Sequence, residues 1–353
     1  MVDVTTTPGR RGFTAPLFRR VKGVATALVS LVTTMLGLLL VTFIIGRVMP
    51  IDPVLAVVGE RASPAYYHQV YEQMGLDKPV VVQFLYYLSD VLHGDFGKSL
   101  LTARPVSEDI LRVFPATLEL ATLGTIIGVI LGIPMGVIAG VNQGRWPDHA
   151  VRLFGLFGYS MPIFWLGLVG LLLFYGILGW VAGPGRLDVF YQDMIPQVTG
   201  LILVDSLIAG DMTIFWNAVS HIVLPASILG YYSLAYISRM TRSFMLEEMG
   251  KEYVTTARVK GMSERAVIWR HALGNVMIPL ITVVALSYAN LLEGSVLTET
   301  IFAWPGLGQY ITIALLSADM NAVLGGTVVV GLVFVGLNML SDVLYRLVDP
   351  RAR

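Results

Sequence analysis

Long apolar runs recur along this chain, separated by polar, basic and glycine-rich segments. The runs fall at about 24–46, 116–141, 153–178, 221–238, 273–292 and 321–345, and each approaches or exceeds the roughly 20 residues a spanning helix needs. A seventh apolar stretch, VTGLILVDSLIAG at 198–210, is short and carries Asp205. It reads as an interfacial or extracytoplasmic helix. Arg10, Arg11, Arg19, Arg20 and Lys22 precede the first run, as they would in a signal peptide. The uncharged run from Val24 to Gly46 is nevertheless a full bilayer span, so it reads as a retained first helix. The pattern predicts an all-α polytopic membrane protein with six transmembrane helices.

Charge orients these helices. With six spans, 17 of the 24 Lys and Arg residues fall on one side, in the N-terminal segment, the loop 142–152, the loop 239–271 and the C-terminus. Positive charge marks the cytoplasmic side, so both termini are expected there. The chain then divides into a cytoplasmic segment 1–23, a first helix 24–46, an extracytoplasmic region 47–115, a five-helix core 116–345 and a cytoplasmic tail 346–353. The core contains the cytoplasmic loop 239–272 and an extracytoplasmic insert 183–220.

Composition agrees. Hydrophobic residues make up 55% of the chain, charged residues 14%, and mean hydropathy is +0.72; soluble domains carry about 25% charged residues. The formal net charge is zero, which implies no bulk attraction to nucleic acid. There is no cysteine, hence no disulfide or thiolate metal site. His68, His93, His149, His221 and His271 show no ligand spacing, and no catalytic Ser/His/Asp set or carboxylate pair stands out. No metal site, cofactor site or catalytic residue is assigned to this chain. Glu119, after Pro115, reads as a helix-dipole partner in the first turn of the second span. Glu293 closes the fifth span, and neither acid has an evident basic partner.

Gly97-Lys98-Ser99, in HGDFGKSL at 93–100, imitates the end of a phosphate-binding loop. That loop needs a glycine five positions before its Gly-Lys pair, where Leu92 stands. The topology also puts Lys98 outside the cell, so the glycines read as turn formers in an outer vestibule. In the second span Gly124, Gly128, Gly132, Gly136 and Gly140 recur every four residues and form a small-residue face for close helix packing. Trp304-Pro305-Gly306 reads as an outer turn that borders a gate or closes a loop.

The richest stretch is RMTRSFMLEEMGKEYVTTARVKGMSERAVIWRHALGNVMIPL, 239–280. It predicts a helix to about 260, a terminator at Gly261 and a second helix capped by Ser263. TTARVKG followed by RHALGNVMIPL resembles the coupling loop of binding-protein-dependent ABC importer permeases, in the dipeptide and oligopeptide branch. Thr255-Thr256-Ala257 take the place of the more general Glu-Ala-Ala, and Arg258, Lys260, Gly261, His271, Ala272 and Asn275 match the branch. MGLDKPVVVQFLYYL, GDFGKSL, RPVSEDILRVFPATLELA, YSMPIFWLG, GSVLTETIFAWPGLGQY and VDPR resemble its other stretches.

The resemblance implies a type I ABC importer permease fold in a bacterial inner membrane. It implies a second homologous permease, two cytoplasmic ABC ATPases that bind the ATP and magnesium, an extracytoplasmic substrate-binding protein and a peptide substrate. The ATPases would receive Tyr253, Val254, Thr255, Thr256, Ala257, Arg258, Lys260 and Gly261, with Val254 and Ala257 fitting a groove. Alternatives are the same machinery importing a nickel chelate, an opine or an oligosaccharide, or a stand-alone secondary transporter or channel.

Overall fold

The computed structural model describes residues 15–48, 52–59, 61–317 and 319–348, which are helical except for turns and loops; the expectations for residues 1–14 and 349–353 lie outside them. Residues 1–49 and 50–353 form two units. The described part of the first is one helix, α1 (Ala15–Val48). Its 34 residues extend about 51 Å at 1.5 Å per residue.

The second unit begins with three shorter helices, α2 (Pro53–Val58), α3 (Pro64–Gln73) and α4 (Val80–Leu92). α5 (Val106–Val141) follows. It starts well before residue 116 and runs through both Pro115 and Pro134. Glu119 therefore sits in mid-helix, not in a first turn, and Glu108 and Asp109 are the acids that meet the helix dipole. A proline within a helix removes one backbone bond, and packing on both sides of Pro115 carries the helix past it.

The third expected span, 153–178, is not a single rod. α6 (Trp146–Ser160) and α7 (Ile163–Gly170), the latter continued by a π turn to Ile177, meet at 96°. Pro162 disfavours helical backbone at the preceding residue, and Met161 is extended at φ −87°, ψ 132°. α8 (Ile202–Ala209) has eight residues and ends at the left-handed Gly210, so it is too short to cross a bilayer. α9 (Met212–Met249) is the longest helix among the described residues and is capped by the Asp211 carboxylate. α10 (Glu252–Val259) and α11 (Glu264–Ala266) form a knob after it. A π turn leads from α11 into α12 (Leu273–Gly294), followed by α13 (Val296–Ile301), α14 (Leu307–Leu316) and α15 (Met320–Val348). Among the described residues four helices are long and apolar enough to span, and the bent α6–α7 pair makes a fifth if counted as one. The described apolar part of α1, Leu31–Gly46, falls short of that measure, so the expected six are not reproduced as a count.

α5 and α9 are the spine of the second unit, and the glycines of α5 explain how closely they lie. A Cβ at Gly128 would stand 2.2 Å from Ser233 Oγ, and one at Gly136 would stand 2.5 Å from Thr241 Cβ and 2.6 Å from the Ser238 carbonyl oxygen. Gly124 faces Leu229, Gly132 faces Ile237 and Gly140 faces Met245. Five glycines four apart thus meet α9 residues also about four apart, one ridge against another. α12 packs on both helices, and Ser233 and Ser287 share a buried hydrogen bond of 2.8 Å between α9 and α12. Ala116, Leu120, Leu229, Leu291 and Trp304 form the core towards the α5 N-terminus. Val137, Ile237, Met245, Val276 and Leu280 form it towards the other end.

Candidate functional site

The knob is built by local rules. α9 ends at Gly250, α10 starts at Glu252, and Gly261 takes φ +78°, a conformation that side chains with a Cβ resist. The Met262 N–H returns to the Ala257 carbonyl at 3.2 Å. Ser263 Oγ caps the next turn by accepting from the Ala266 N–H.

Long-range contacts then set the knob in place. Val254, Ala257 and Val267 are buried together, with Tyr253, Met249 and Met262 around them. The Tyr253 hydroxyl donates to Glu248 at 2.7 Å, and Asn275 lies beside both. Burial and this bond to a carboxylate push the Tyr253 phenol above its ordinary pKa. Lys251 pairs with Glu248, and Arg258 pairs with Glu264 at 2.7 Å. Val254 and Ala257 thus face the interior of the knob, and Arg258 already has an internal acid. The outward surface consists of Thr255, Thr256, Arg258, Lys260, Gly261 and also Val259, which is 83% exposed. Val259 escaped the sequence reading because an apolar residue on a helix is assumed to face its own core.

At the other end of the spine, three buried acids organise the chain. Glu119 accepts from Arg186 of the insert and, at 2.8 Å, from the Leu203 N–H at the start of α8. Glu119 therefore has a basic partner after all, supplied from outside the spans. Arg186 also donates to the Gly200 carbonyl at 3.0 Å and lies over the Trp304 ring at 5.4 Å.

Glu299 is fully buried. It accepts from Thr117 Oγ1 and Ser295 Oγ at 2.8 Å and from the Gln309 N–H at 3.0 Å. Burial pushes its carboxyl above the ordinary range, against the pull of these donors. Trp304 Nε1 donates to the Ala116 carbonyl at 2.9 Å, and the Leu307 N–H donates to Thr117 at 2.8 Å. Trp304 and Gly306 are buried and Pro305 is exposed. Gly306 is extended at φ −98°, ψ −179°. It is needed for room, because a Cβ there would meet Glu299 and Thr117 at 2.5 Å.

The third acid, Asp319, answers the Gly-Lys-Ser stretch. Its carboxylate takes the Ser99 hydroxyl at 2.6 Å and the Leu100 N–H at 2.7 Å, and caps α15 through Ala322. Gly94 and Gly97 both have positive φ, and Asn321 holds the Lys98 carbonyl at 3.0 Å. The loop binds an anion, but that anion is a side chain of the same protein. Asp205 plays the same part inside the insert, where the Thr199 hydroxyl and the N–H groups of Thr199 and Gly200 converge on it. Burial raises its pKa, but these bonds together outweigh burial and hold it below the ordinary value.

Among the described residues no group of three or more His, Cys, Asp or Glu is placed to hold a metal ion. A helical bundle with four or five apolar spans, no strand in its described part, a folded helix–turn–helix knob at one end and a buried polar knot at the other defines a polytopic membrane protein. The chain belongs to the family of binding-protein-dependent transport system inner membrane components, whose core matches residues 132–353 and whose N-terminal part matches residues 17–121. It is 43% identical to the di/tripeptide transport system permease of Pseudomonas aeruginosa, over 92% of this chain and 96% of that one. It is 43% identical to the dipeptide transport system permease of Escherichia coli K12 and 41% to that of Haemophilus influenzae, in both cases over 91% of this chain and 96% of the relative. An inward-facing methionine ABC transporter overlaps 68% of the chain at 18% identity and a TM-score of 0.48.

Proposed function

We propose that this chain is the membrane permease of an ATP-driven importer for dipeptides or oligopeptides and forms half of the translocation path with a second, homologous permease. Both termini lie in the cytoplasm, with the basic knob, and a substrate-binding protein delivers peptide from outside. Two ATPases bind ATP and magnesium and grip the knob, so their closure moves α9 and α12 together. The observation that carries this reading is the knob: a short helix cemented to the ends of two long helices by Val254, Ala257, Tyr253 and Glu248, with Thr255, Thr256, Val259 and Lys260 presented outward. Peptide as the substrate rests on the relatives, which are matched over nearly their whole lengths. Any outer gate at Trp304-Pro305-Gly306 has to shift α5, α13 and α14 as one, because Trp304, Thr117 and Glu299 tie them together.

Val259→Glu tests the docking. It adds charge on the outward surface and leaves the knob interior untouched, unlike a charge at buried Ala257. The expected result is a complex that still assembles in the membrane, keeps basal ATP hydrolysis and loses peptide uptake. Normal uptake in this variant rejects the docking surface. A chain that transports in liposomes without ATPase partners rejects the importer reading.

A further inference from the structure

Between α6 and α9 lies an open cavity of about 720 Å³, lined among others by Arg152, Tyr159, Ser160, Ser238, Arg239 and Arg242. Its volume is that of a small-molecule site. The charges lining it are unbalanced. Arg242 is spent on Asp148, which it grips with two N–H groups, one of them at 2.8 Å, while the Gly144 N–H binds the same carboxylate at 3.0 Å. Arg239 has no carboxylate partner among the described residues. Its guanidinium lies over the Tyr159 ring at 4.7 Å and the Tyr236 ring at 5.9 Å. Tyr159 in turn stacks on Tyr232 at 5.3 Å, and Tyr231 is tied to the Phe154 carbonyl at 2.7 Å. The cation is therefore held on a fixed aromatic wall, one residue past the apolar stretch 221–238.

We propose that this cavity is a way-station for the substrate, with Arg239 binding the C-terminal carboxylate of a peptide. The inference rests on the peptide-importer reading and adds the group that is recognised. A guanidinium with free donors matches a carboxylate in both charge and geometry. Peptides vary in their side chains and share their ends. Arg152 lines the same cavity and adds positive charge, but Arg239 is the cation held on the aromatic wall; a cavity this wide reads the shared end there and leaves room for the variable part. The same cation at a membrane edge also suits a lipid phosphate, and the experiment separates the two.

The purified transport complex carrying this chain, without its binding protein, is titrated with radiolabelled dialanine and with dialanine amide. The wild type is expected to bind the acid at least tenfold more tightly than the amide. Arg239→Gln brings the acid down to the level of the amide and leaves the amide unchanged, and Arg239→Lys falls between. An Arg239→Gln complex that keeps the contrast, or a wild type that shows none, overturns the inference. Loss of the contrast when phosphatidylglycerol, but not phosphatidylcholine, is added assigns Arg239 to lipid phosphate and also overturns it. Dialanine accumulation by wild-type proteoliposomes with binding protein and ATP is read separately: if it succeeds, the importer reading survives a negative binding result, and if it fails, both readings fall.

Discussion

The Ser99 hydroxyl donates to the Asp319 carboxylate at 2.6 Å, across 220 residues of sequence. It straps the loop before α5 to the start of the last helix, α15. Asp319→Ala strands the Ser99 hydroxyl and the Leu100 N–H, and unmet buried groups cost about 1–3 kcal/mol each. The expected total is about 3 kcal/mol, and Ser99→Ala costs about 1 kcal/mol. Trypsin cleavage after Lys98 reads the loosening: it becomes faster in Asp319→Ala than in the wild type, with Ser99→Ala between.

The glycine seam makes a graded prediction. At Gly136 a methyl group meets the Ser238 backbone oxygen, which cannot swing away, whereas at Gly132 the closest atom is at 3.1 Å and at Gly274 nothing lies within 4 Å. Overpacking costs about 1–3 kcal/mol. Thermal melting in detergent is expected to rank Gly136→Ala as the least stable, Gly132→Ala as intermediate and Gly274→Ala as equal to the wild type.

Gly261 separates strain from docking. It has φ +78° and open space around it within the chain, so Ala and Leu both incur the same backbone strain of about 1–2 kcal/mol. Equal melting temperatures are therefore expected for Gly261→Ala and Gly261→Leu. Peptide uptake that falls several-fold further for Leu measures a partner surface, and equal uptake shows that none approaches this turn.

Asp205 sets an acid limit on the insert. Its folded pKa lies below the ordinary value, about 3.9 for an unfolded chain. Its contribution to stability is therefore complete above that value and is lost as the pH falls through the lower, folded one. Protease resistance of residues 198–210 is expected to hold constant from pH 7 to about pH 5 and to decline below about pH 4. Asp205→Asn lowers the resistance at pH 7 and flattens the curve.

The sequence by itself determined what is local or periodic. The apolar runs forecast the long helices, because lipid demands continuous apolar length. The four-residue glycine repeat forecast a close seam, because spacing fixes a face. Gly261 and Ser263 forecast the turn inside the knob, because caps and left-handed turns are local chemistry, while the break at Gly250 falls inside a stretch whose pattern predicts one helix to about 260. Even the break at Pro162 was available in principle, but length alone favoured one continuous span.

Only the tertiary structure decided who meets whom. Gly136 is a face in sequence and becomes a seam only against Ser238 and Thr241. The resemblance points Val254 and Ala257 towards a partner's groove, and the fold instead covers them with Val267. Glu119 looks isolated until Arg186 arrives from the insert, and Gly-Lys-Ser, which lacks the glycine of a phosphate loop, shows no partner until Asp319 meets Ser99. A buried charge is stable only with a partner, and the partner's identity depends on how the chain returns upon itself, which no local pattern records.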